Sequence, residues 1–362
     1  MLKCCSGELT RQKTRYRRTS DAWAVFIHKT RKCEKENRMT HRQRVIAAIK
    51  GEPTDRIPAD YYGIPEATQK YLSELKLENE FCLIQTLDTD VIRAVNGPGR
   101  VSFSRSEKEY LKHAQTPKEI RRICEDIPSI DDLMDFTPLV DARKNHPDYA
   151  ILTYGPGSIF LGTNSAFGYE MSLMHHAQRP DLIREVIECS VEYAFAVIEK
   201  MYRDTGNAVD IVSLEDDFGT QNSLYISYKM FLDFYKPAFM KIVRRLKECG
   251  YFVQFHSCGA VSQLIPDFIE MGVDILDPVQ VLASGMQLEN LAAKFKGKIC
   301  FHGGIDTQKL LPYGTPEQVS REVAKVISLF GTTKAFIAPS QNFLPDIPTE
   351  NLLAMYRAKR TP

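Results

Sequence analysis

Residues 252–280, FVQFHSCGAVSQLIPDFIEMGVDILDPVQ, decide how this chain folds. Phe252–Phe255 is a short apolar run that reads as a buried strand, closed by His256-Ser257-Cys258-Gly259. Val261–Met271 reads as a helix. Asp274–Leu276 is a second short strand, followed by Asp277-Pro278-Val279-Gln280. A strand, a helix and a strand in so short a span point to parallel strands joined by a helical crossover.

The same alternation extends in both directions. Further strands are read at Ile57–Tyr61, Val91–Ala94, Ala150–Tyr154, Val209–Leu214, Ile299–Phe301 and Ala335–Ile337. Helices are read at Leu182–Tyr202, Tyr228–Lys247, Met286–Phe295, Pro316–Phe330 and Leu352–Ala358. In Tyr228–Lys247 the apolar pairs recur in steps of four. Thr40 is placed to cap an opening helix with Val45, Ile46 and Ile49 on its apolar face and Gly51 at its end. Eight strand–helix units in about 320 residues suit an α/β fold of the (β/α)8 TIM barrel type. The stretch from Asn96 to Tyr149 is too long for a plain crossover. Helices near Pro117–Cys124 and Ile130–Phe136 are expected within it.

The chain has 362 residues, and its 47 Lys and Arg against 46 Asp and Glu give a net charge of +1. That balance hides an asymmetry. Residues 1–38 hold 11 basic and 4 acidic residues, together with Trp23, Cys4, Cys5 and Cys33, whereas the remainder is net acidic. The reading is a basic, disordered extension over 1–38 and a single barrel domain over 39–362, with Met39-Thr40 as its natural beginning. The apolar part of the extension, Ala22 to Ile27, is too short for a secretory signal. No apolar run is long enough to span a membrane. Cys82, Cys124, Cys189, Cys249, Cys258 and Cys300 are scattered without a C-x-x-C pair, which fits a reduced, cytoplasmic protein. The acidic body lacks interleaved basic and aromatic residues, which argues against nucleic acid. Neither a Walker loop nor a Rossmann fingerprint occurs.

In a barrel of this kind, chemistry sits at the C-terminal ends of the strands. The segments that follow the strands are Asp60-Tyr61-Tyr62-Gly63, Tyr154-Gly155-Pro156-Gly157, Glu215-Asp216-Asp217-Phe218-Gly219, His256-Ser257-Cys258-Gly259, Asp277-Pro278-Val279-Gln280, His302-Gly303-Gly304-Ile305-Asp306 and Ser340-Gln341-Asn342. His256 and Cys258 carry the sharpest signal. Residues two apart in extended chain point to one side, so an imidazole and a thiolate can reach one metal. A catalytic zinc needs a third protein ligand. Glu215 is the best candidate, with His302 and Cys300 weaker, and Cys300 reads as core. The alternative is a His that hydrogen-bonds substrate and a Cys that only packs. At least one acid of Glu215-Asp216-Asp217 is expected at the site, because charge directly after an apolar strand faces the mouth.

Several runs together are similar to the uroporphyrinogen decarboxylase superfamily. They are Phe255-His256-Ser257-Cys258-Gly259, Gly272 through Gln280, Phe301-His302-Gly303-Gly304-Ile305-Asp306-Thr307-Gln308, Ala338 through Asn342, Pro345 through Asn351, and Gly51-Glu52-Pro53-Thr54-Asp55-Arg56-Ile57-Pro58. The resemblance spans about residues 39–360 and implies a (β/α)8 barrel. True decarboxylases resemble one another in an arginine-rich segment after the first strand. Here no arginine occurs from Ala59 to Glu80. Their Gly-His-Gly signature near the last strand is replaced by Ser340-Gln341-Asn342. The other branch, the corrinoid-dependent methyltransferases, is matched at His256-x-Cys258, its zinc motif. The later Cys of thiol-methylating members has no counterpart at Ala338, Ser340 or Gln341.

The resemblance therefore implies a methyltransferase that moves a methyl group between a small methylated substrate and the cobalt of a corrinoid (cobalamin) protein. Zinc would be held by His256, Cys258 and Glu215. Glu215, Asp216 and His256 would be catalytic, and Asp60, Tyr154, Asp277, Gln280, His302 and Asn342 would shape the substrate pocket. A homodimer is compatible with this reading. Uroporphyrinogen decarboxylation, or a non-catalytic barrel that binds a corrinoid or tetrapyrrole, are the alternatives.

Overall fold

Seven parallel strands, hydrogen-bonded in chain order, form the sheet of this computed structural model, which describes residues 38–95, 111–126 and 129–359. They are β1 Val91–Arg93, β2 Ala150–Tyr154, β3 Ile211–Glu215, β4 Phe252–His256, β5 Ile275–Val279, β6 Cys300–Ile305 and β7 Ala335–Pro339. The basic extension up to residue 37, with Trp23, Cys4, Cys5 and Cys33, lies outside the described residues.

The expectation of eight strands is corrected at Ile57–Tyr61. This segment makes isolated parallel bridges, Ala59 with Ile337 and Gly63 with Phe343. The Ile337 N–H donates to the Pro58 carbonyl and the Asp60 N–H to the Ile337 carbonyl, while the Asp90 N–H donates to the Ala59 carbonyl. Pro58 has no N–H to give, and the Ala59 N–H goes to the Asp90 carboxylate at 2.8 Å. A regular ladder cannot run through such a pair. Other strands run further than expected at their C-terminal ends: β3 takes in Glu215, β4 takes in His256, β5 continues through Asp277-Pro278-Val279, β6 through His302-Gly303-Gly304-Ile305 and β7 through Pro339, so Glu215, His256, Asp277 and His302 belong to strands and not to the segments after them.

Helices connect the strands as the alternation requires. Pro180–Thr205, Pro316–Phe330 and Thr349–Ala358 coincide closely with the expected segments. The helix expected as continuous from Tyr228 contains a π-helical turn over Phe231–Tyr235, just before Pro237. A proline removes a helical N–H, and a widened turn absorbs the loss. Helices Pro65–Leu75, Glu80–Leu87, Ile159–Phe167 and Tyr169–Gln178 were not read from the sequence. Among the described residues no helix is long and apolar enough to cross a membrane.

The two faces of each strand bury different cores. Ile92, Ile151, Val212, Leu214, Val253, Phe255, Leu276, Phe301 and Ile337 pack against the surrounding helices. The alternate residues Val91, Ala150, Leu152, Ile211, Ile275, Cys300 and Phe336 form a second cluster with Val45 and Ile49 of helix His41–Lys50. Cys300 is thus core, as expected. Two positions further along the same strands, this second face turns polar: Arg93, Tyr154, Ser213, Gln254, Asp277 and His302. Period-2 alternation puts them in line with the apolar residues beneath. Apolar residues fill one end, and polar ones the other.

The apolar end is fixed by buried charge. Asp90, fully buried, receives Arg44 Nη1 at 2.6 Å, Arg56 Nη1 at 2.7 Å and His41 Nδ1 at 2.8 Å. Asp210 likewise receives Arg42, Arg143 and the Ile151 N–H. Burial opposes the charge on Asp90, but the His41 hydrogen bond and the charges of Arg56 and Arg44 outweigh it and hold its carboxyl below the usual range. A depressed carboxylate contributes its stability above the unfolded value, near 3.9, and loses it as pH falls toward the folded value. Asp90→Asn leaves Arg44 and Arg56 short of a buried counter-charge, so it is expected to cost about 3–5 kcal/mol at neutral pH. Urea unfolding at pH 7 and pH 3 should show the gap between wild type and variant narrowing at the lower pH.

Candidate active site at the polar end of the sheet

In-register pairing sets the site. Glu215 on β3 is level with His256 on β4, and His256 is level with Asp277 on β5. His256 Nδ1 lies 2.7 Å from Asp277 Oδ2. The other carboxylate oxygen, Asp277 Oδ1, lies 2.5 Å from His302 Nδ1. His302 Nε2 lies 3.0 Å from Asp60 Oδ2, and Arg93 donates to that same oxygen through Nη2 at 2.6 Å and Nε at 3.1 Å. Five side chains thus form one ladder: Arg93, Asp60, His302, Asp277, His256. Asp60, Asp277 and His302 are all buried.

The charges in this ladder hold one another. Burial works against ionised Asp277, but the charge of His302 and the hydrogen bonds from His256 and His302 keep its carboxyl well below the usual range. Burial likewise disfavours charged His302, yet the charge and hydrogen bond of Asp277, then those of Asp60, raise it above an ordinary histidine. With a carboxylate at each ring nitrogen, His302 donates from both. His256 is also raised, because its hydrogen bonds to Asp277 and Cys258 overcome burial.

At the mouth, His256 Nε2 lies 3.4 Å from Cys258 Sγ and 3.8 Å from Asp217 Oδ1. The ligand atoms of Asp217, His256 and Cys258 all fall within 4.8 Å of one another, and all three residues are half-buried. Gln341 Nε2 donates to Cys258 Sγ at 3.2 Å, and the Cys258 N–H donates to Asp217 Oδ1 at 2.8 Å.

A backbone seam holds Cys258 beside Asp217. The Ala260 N–H donates to the Thr220 carbonyl. Gly259 has φ +84°, and a Cβ there would lie 2.4 Å from the Thr220 carbonyl oxygen. At Gly219 a Cβ would lie 2.5 Å from the Cys258 carbonyl oxygen. Only glycine permits this approach and that backbone conformation together.

The geometry redistributes the expected roles. Glu215, expected as third ligand, is outside the close group of donor atoms, and Asp217 is the acid inside it. β3 runs through Glu215, and the charge of Glu215 is felt at the Tyr62 phenol instead. Asp216, expected to be catalytic, is fully buried and serves the backbone. Its carboxylate accepts the N–H groups of Phe160 at 2.5 Å and Leu161 at 2.8 Å, at the start of helix Ile159–Phe167. Burial pushes its carboxyl well above the ordinary range.

Among the residues expected to shape the pocket, Asp60, Asp277 and His302 lie in the buried ladder beneath the mouth. Gln280 is engaged by the Gly259 N–H at 2.7 Å. Tyr154 remains half-buried, with its hydroxyl 3.3 Å from Arg93 Nη1, and Asn342 donates to the Gln341 side chain. The sequence reading missed Arg93, Gln341 as a partner of Cys258, and Tyr62, whose ring lies 4.2 Å from the Arg93 guanidinium. Arg93 was recoverable from the period of two, since it stands two residues beyond buried Val91.

Parallel strands joined by helices, with polar side chains gathered beyond their C-terminal ends, define an α/β enzyme-type scaffold. The sequence profile described as Uroporphyrinogen decarboxylase (URO-D) matches residues 158–361, more than half of the chain. The chain belongs to that family. No curated protein matches it. Among solved structures it is similar to a methyltransferase from Methanosarcina mazei, at 16% identity and a TM-score of 0.64, over 89% of this chain and 98% of that one. That likeness is one of fold. Weaker similarities are to a B12-independent methionine synthase from Shewanella sp. W3-18-1 (14% identity, 65% of this chain and 66% of that one, TM-score 0.39) and to a β-L-arabinopyranosidase from Geobacillus stearothermophilus (14% identity, 88% and 77%, TM-score 0.41).

Asp216 and Asp217 are chemically identical neighbours with different partners, which gives a direct test. Asp216→Ala strands two buried N–H groups and is expected to lose about 1–3 kcal/mol per unpaired donor. Asp217→Ala, at a half-buried position, is expected to lose less. Thermal unfolding of the two variants side by side checks the assignment.

Proposed function

We propose that this chain is a methyltransferase that moves a methyl group between a small substrate and the cobalt of a corrinoid protein, at a metal site at the ends of β3 and β4. The observation that carries the reading is the convergence of Asp217, His256 and Cys258. A carboxylate, an imidazole and a thiol within reach of one point form a donor set suited to zinc, the three protein ligands a catalytic site uses. Bound zinc would act as a Lewis acid on the heteroatom that carries or receives the methyl group.

The rest of the site prepares these ligands. Asp277 accepts a hydrogen bond from the Nδ1–H of His256, so when a metal displaces the other ring proton the lone pair is on Nε2, the nitrogen facing Cys258 and Asp217. The amide of Gln341 donates to Cys258 Sγ and so fixes the direction of that side chain. Where thiol-methylating relatives have a further Cys, this chain has a hydrogen-bond donor to the Cys already present, and Asp217 supplies the third donor atom. The segment at Ala59, bonded to both β1 and β7 sides, is read as the closing stave of a barrel.

Decarboxylation of a polycarboxylate is less well supported. It calls for cationic side chains facing the substrate, whereas the Arg93 guanidinium is engaged by Asp60 and stacked on Tyr62.

Zinc titration of the purified protein, read by competition with a chromogenic chelator, tests the site. His256→Ala and Cys258→Ala are each expected to weaken binding by roughly 100-fold or more, beyond the 10–100-fold typical of outer partners. Asp217→Asn is expected to weaken binding, and Glu215→Gln to leave it nearly unchanged. Methyl transfer to or from free cobalamin should fall with the triad variants. A protein that binds no zinc and transfers methyl groups equally well without His256 would overturn the reading.

A further inference from the structure

We infer that His302, anchored by Asp60 and Arg93, is a positioning residue that fixes which nitrogen His256 presents at the mouth. The inference rests on the metal-site reading above and extends it to residues on the far side of the sheet.

The argument starts with Asp277. Its two oxygens serve different rings, Oδ2 for His256 and Oδ1 for His302. A buried carboxylate with one partner could turn about its Cβ–Cγ bond. One held at both oxygens cannot turn without leaving a buried donor unpaired. His302 is in turn held at both nitrogens, by Asp277 and by Asp60, with the Phe336 ring 5.6 Å away on its flank. Asp60 is held at one oxygen, Oδ2, where two N–H groups of the Arg93 guanidinium and His302 Nε2 converge. Each member is therefore oriented by the next, and the series runs from the end of β1 to the end of β4.

Burial shows where the series leads. Asp60, His302 and Asp277 are 0%, 2% and 2% exposed; the ladder is half-buried only at its two ends, Arg93 and His256, and at the His256 end it meets Asp217 and Cys258. Three buried charged or ring-polar groups are not needed to fill a core, because apolar residues of like volume do that at least as well. What such a series provides is direction. It holds Asp277 as an acceptor, keeps the Nδ1–H of His256 in place and leaves Nε2 pointing outward.

The test compares His302→Phe, which keeps a ring but removes both donors, with His302→Asn, whose amide N–H can replace the lost Nδ1–H toward Asp277. His302→Phe is expected to weaken zinc binding by about 10–100-fold, the usual effect of losing an outer partner, and His302→Asn to recover most of it. Phe336→Leu, which disturbs the packing around the same ring but breaks no member of the series, is expected to leave affinity unchanged. Nitrogen-15 NMR of the metal-free protein gives a second readout. Measured at a pH high enough for the ring to be neutral, His256 should hold its proton on Nδ1 in wild type and in His302→Asn, and populate both tautomers in His302→Phe.

If wild type binds no zinc, the metal reading fails, and the tautomer measurement still decides this inference. If His302→Phe folds, binds zinc like wild type and keeps the Nδ1–H of His256, the inference is overturned. Should His302→Phe not fold, Asp60→Asn, which loosens the ring from its far side, is expected to show a smaller loss of roughly tenfold. Unchanged affinity and tautomer there would overturn the inference equally.

Discussion

One buried carboxylate, Asp277, organises the polar end of this fold. It lies between two imidazoles, and each of its oxygens has a different ring to satisfy. An ionised carboxylate so far from water survives only when its partners are close, correctly directed and themselves held. The remaining features follow from that demand. β5 and β6 must extend far enough to bring Asp277 and His302 to one level, and the segment at Asp60 must reach between the edge strands to meet His302. Arg93 must then balance Asp60.

This dependence explains which parts of the fold were legible in the sequence. Apolar runs flanked by turn residues located β1, β2, β4 and β7 to within a residue or two, because burial on both faces leaves an unmistakable composition. β5 and β6 were cut short because their final residues are Asp, Pro, His and Gly, types that strands usually exclude. They extend because those residues occupy the polar layer above the core, where bonding across the sheet outweighs propensity. Ile57–Tyr61 erred in the other direction. Its composition suits a strand, but Pro58 and the Asp90 carboxylate occupy the positions a ladder would use. Helix Tyr169–Gln178 escaped notice because Tyr169, Met171, Leu173 and Met174 are all at least partly exposed, which erases the amphipathic contrast on which such a reading relies.

The site was legible in kind more than in detail. His256 and Cys258 were marked by their spacing, and the acid run after β3 by its position. Which acid faces them was not. Glu215, Asp216 and Asp217 follow one another, and their directions depend on where the strand ends and which backbone groups need a partner. The start of helix Ile159–Phe167 claims Asp216, and the Cys258 N–H claims Asp217. Both partners are remote in sequence, so no local pattern encodes the choice. The two ends of the sheet also divide the work. Asp90 and Asp210 lock the apolar end with arginines that are mostly remote from them in sequence, so no local pattern marks that lock.

The seam between Gly219-Thr220 and Cys258-Gly259 has a consequence for how such a protein can diversify. Its two rails touch backbone to backbone and admit no side chain on either. An insertion in one loop would displace Asp217, and one in the other would displace Cys258, so neither loop can drift on its own. Evolution toward a different small molecule is thereby steered to the rest of the rim, to the end of β2, which carries Tyr154, and the turn after β7, which carries Asn342. The reactive corner is inherited as a unit, and novelty accumulates opposite it.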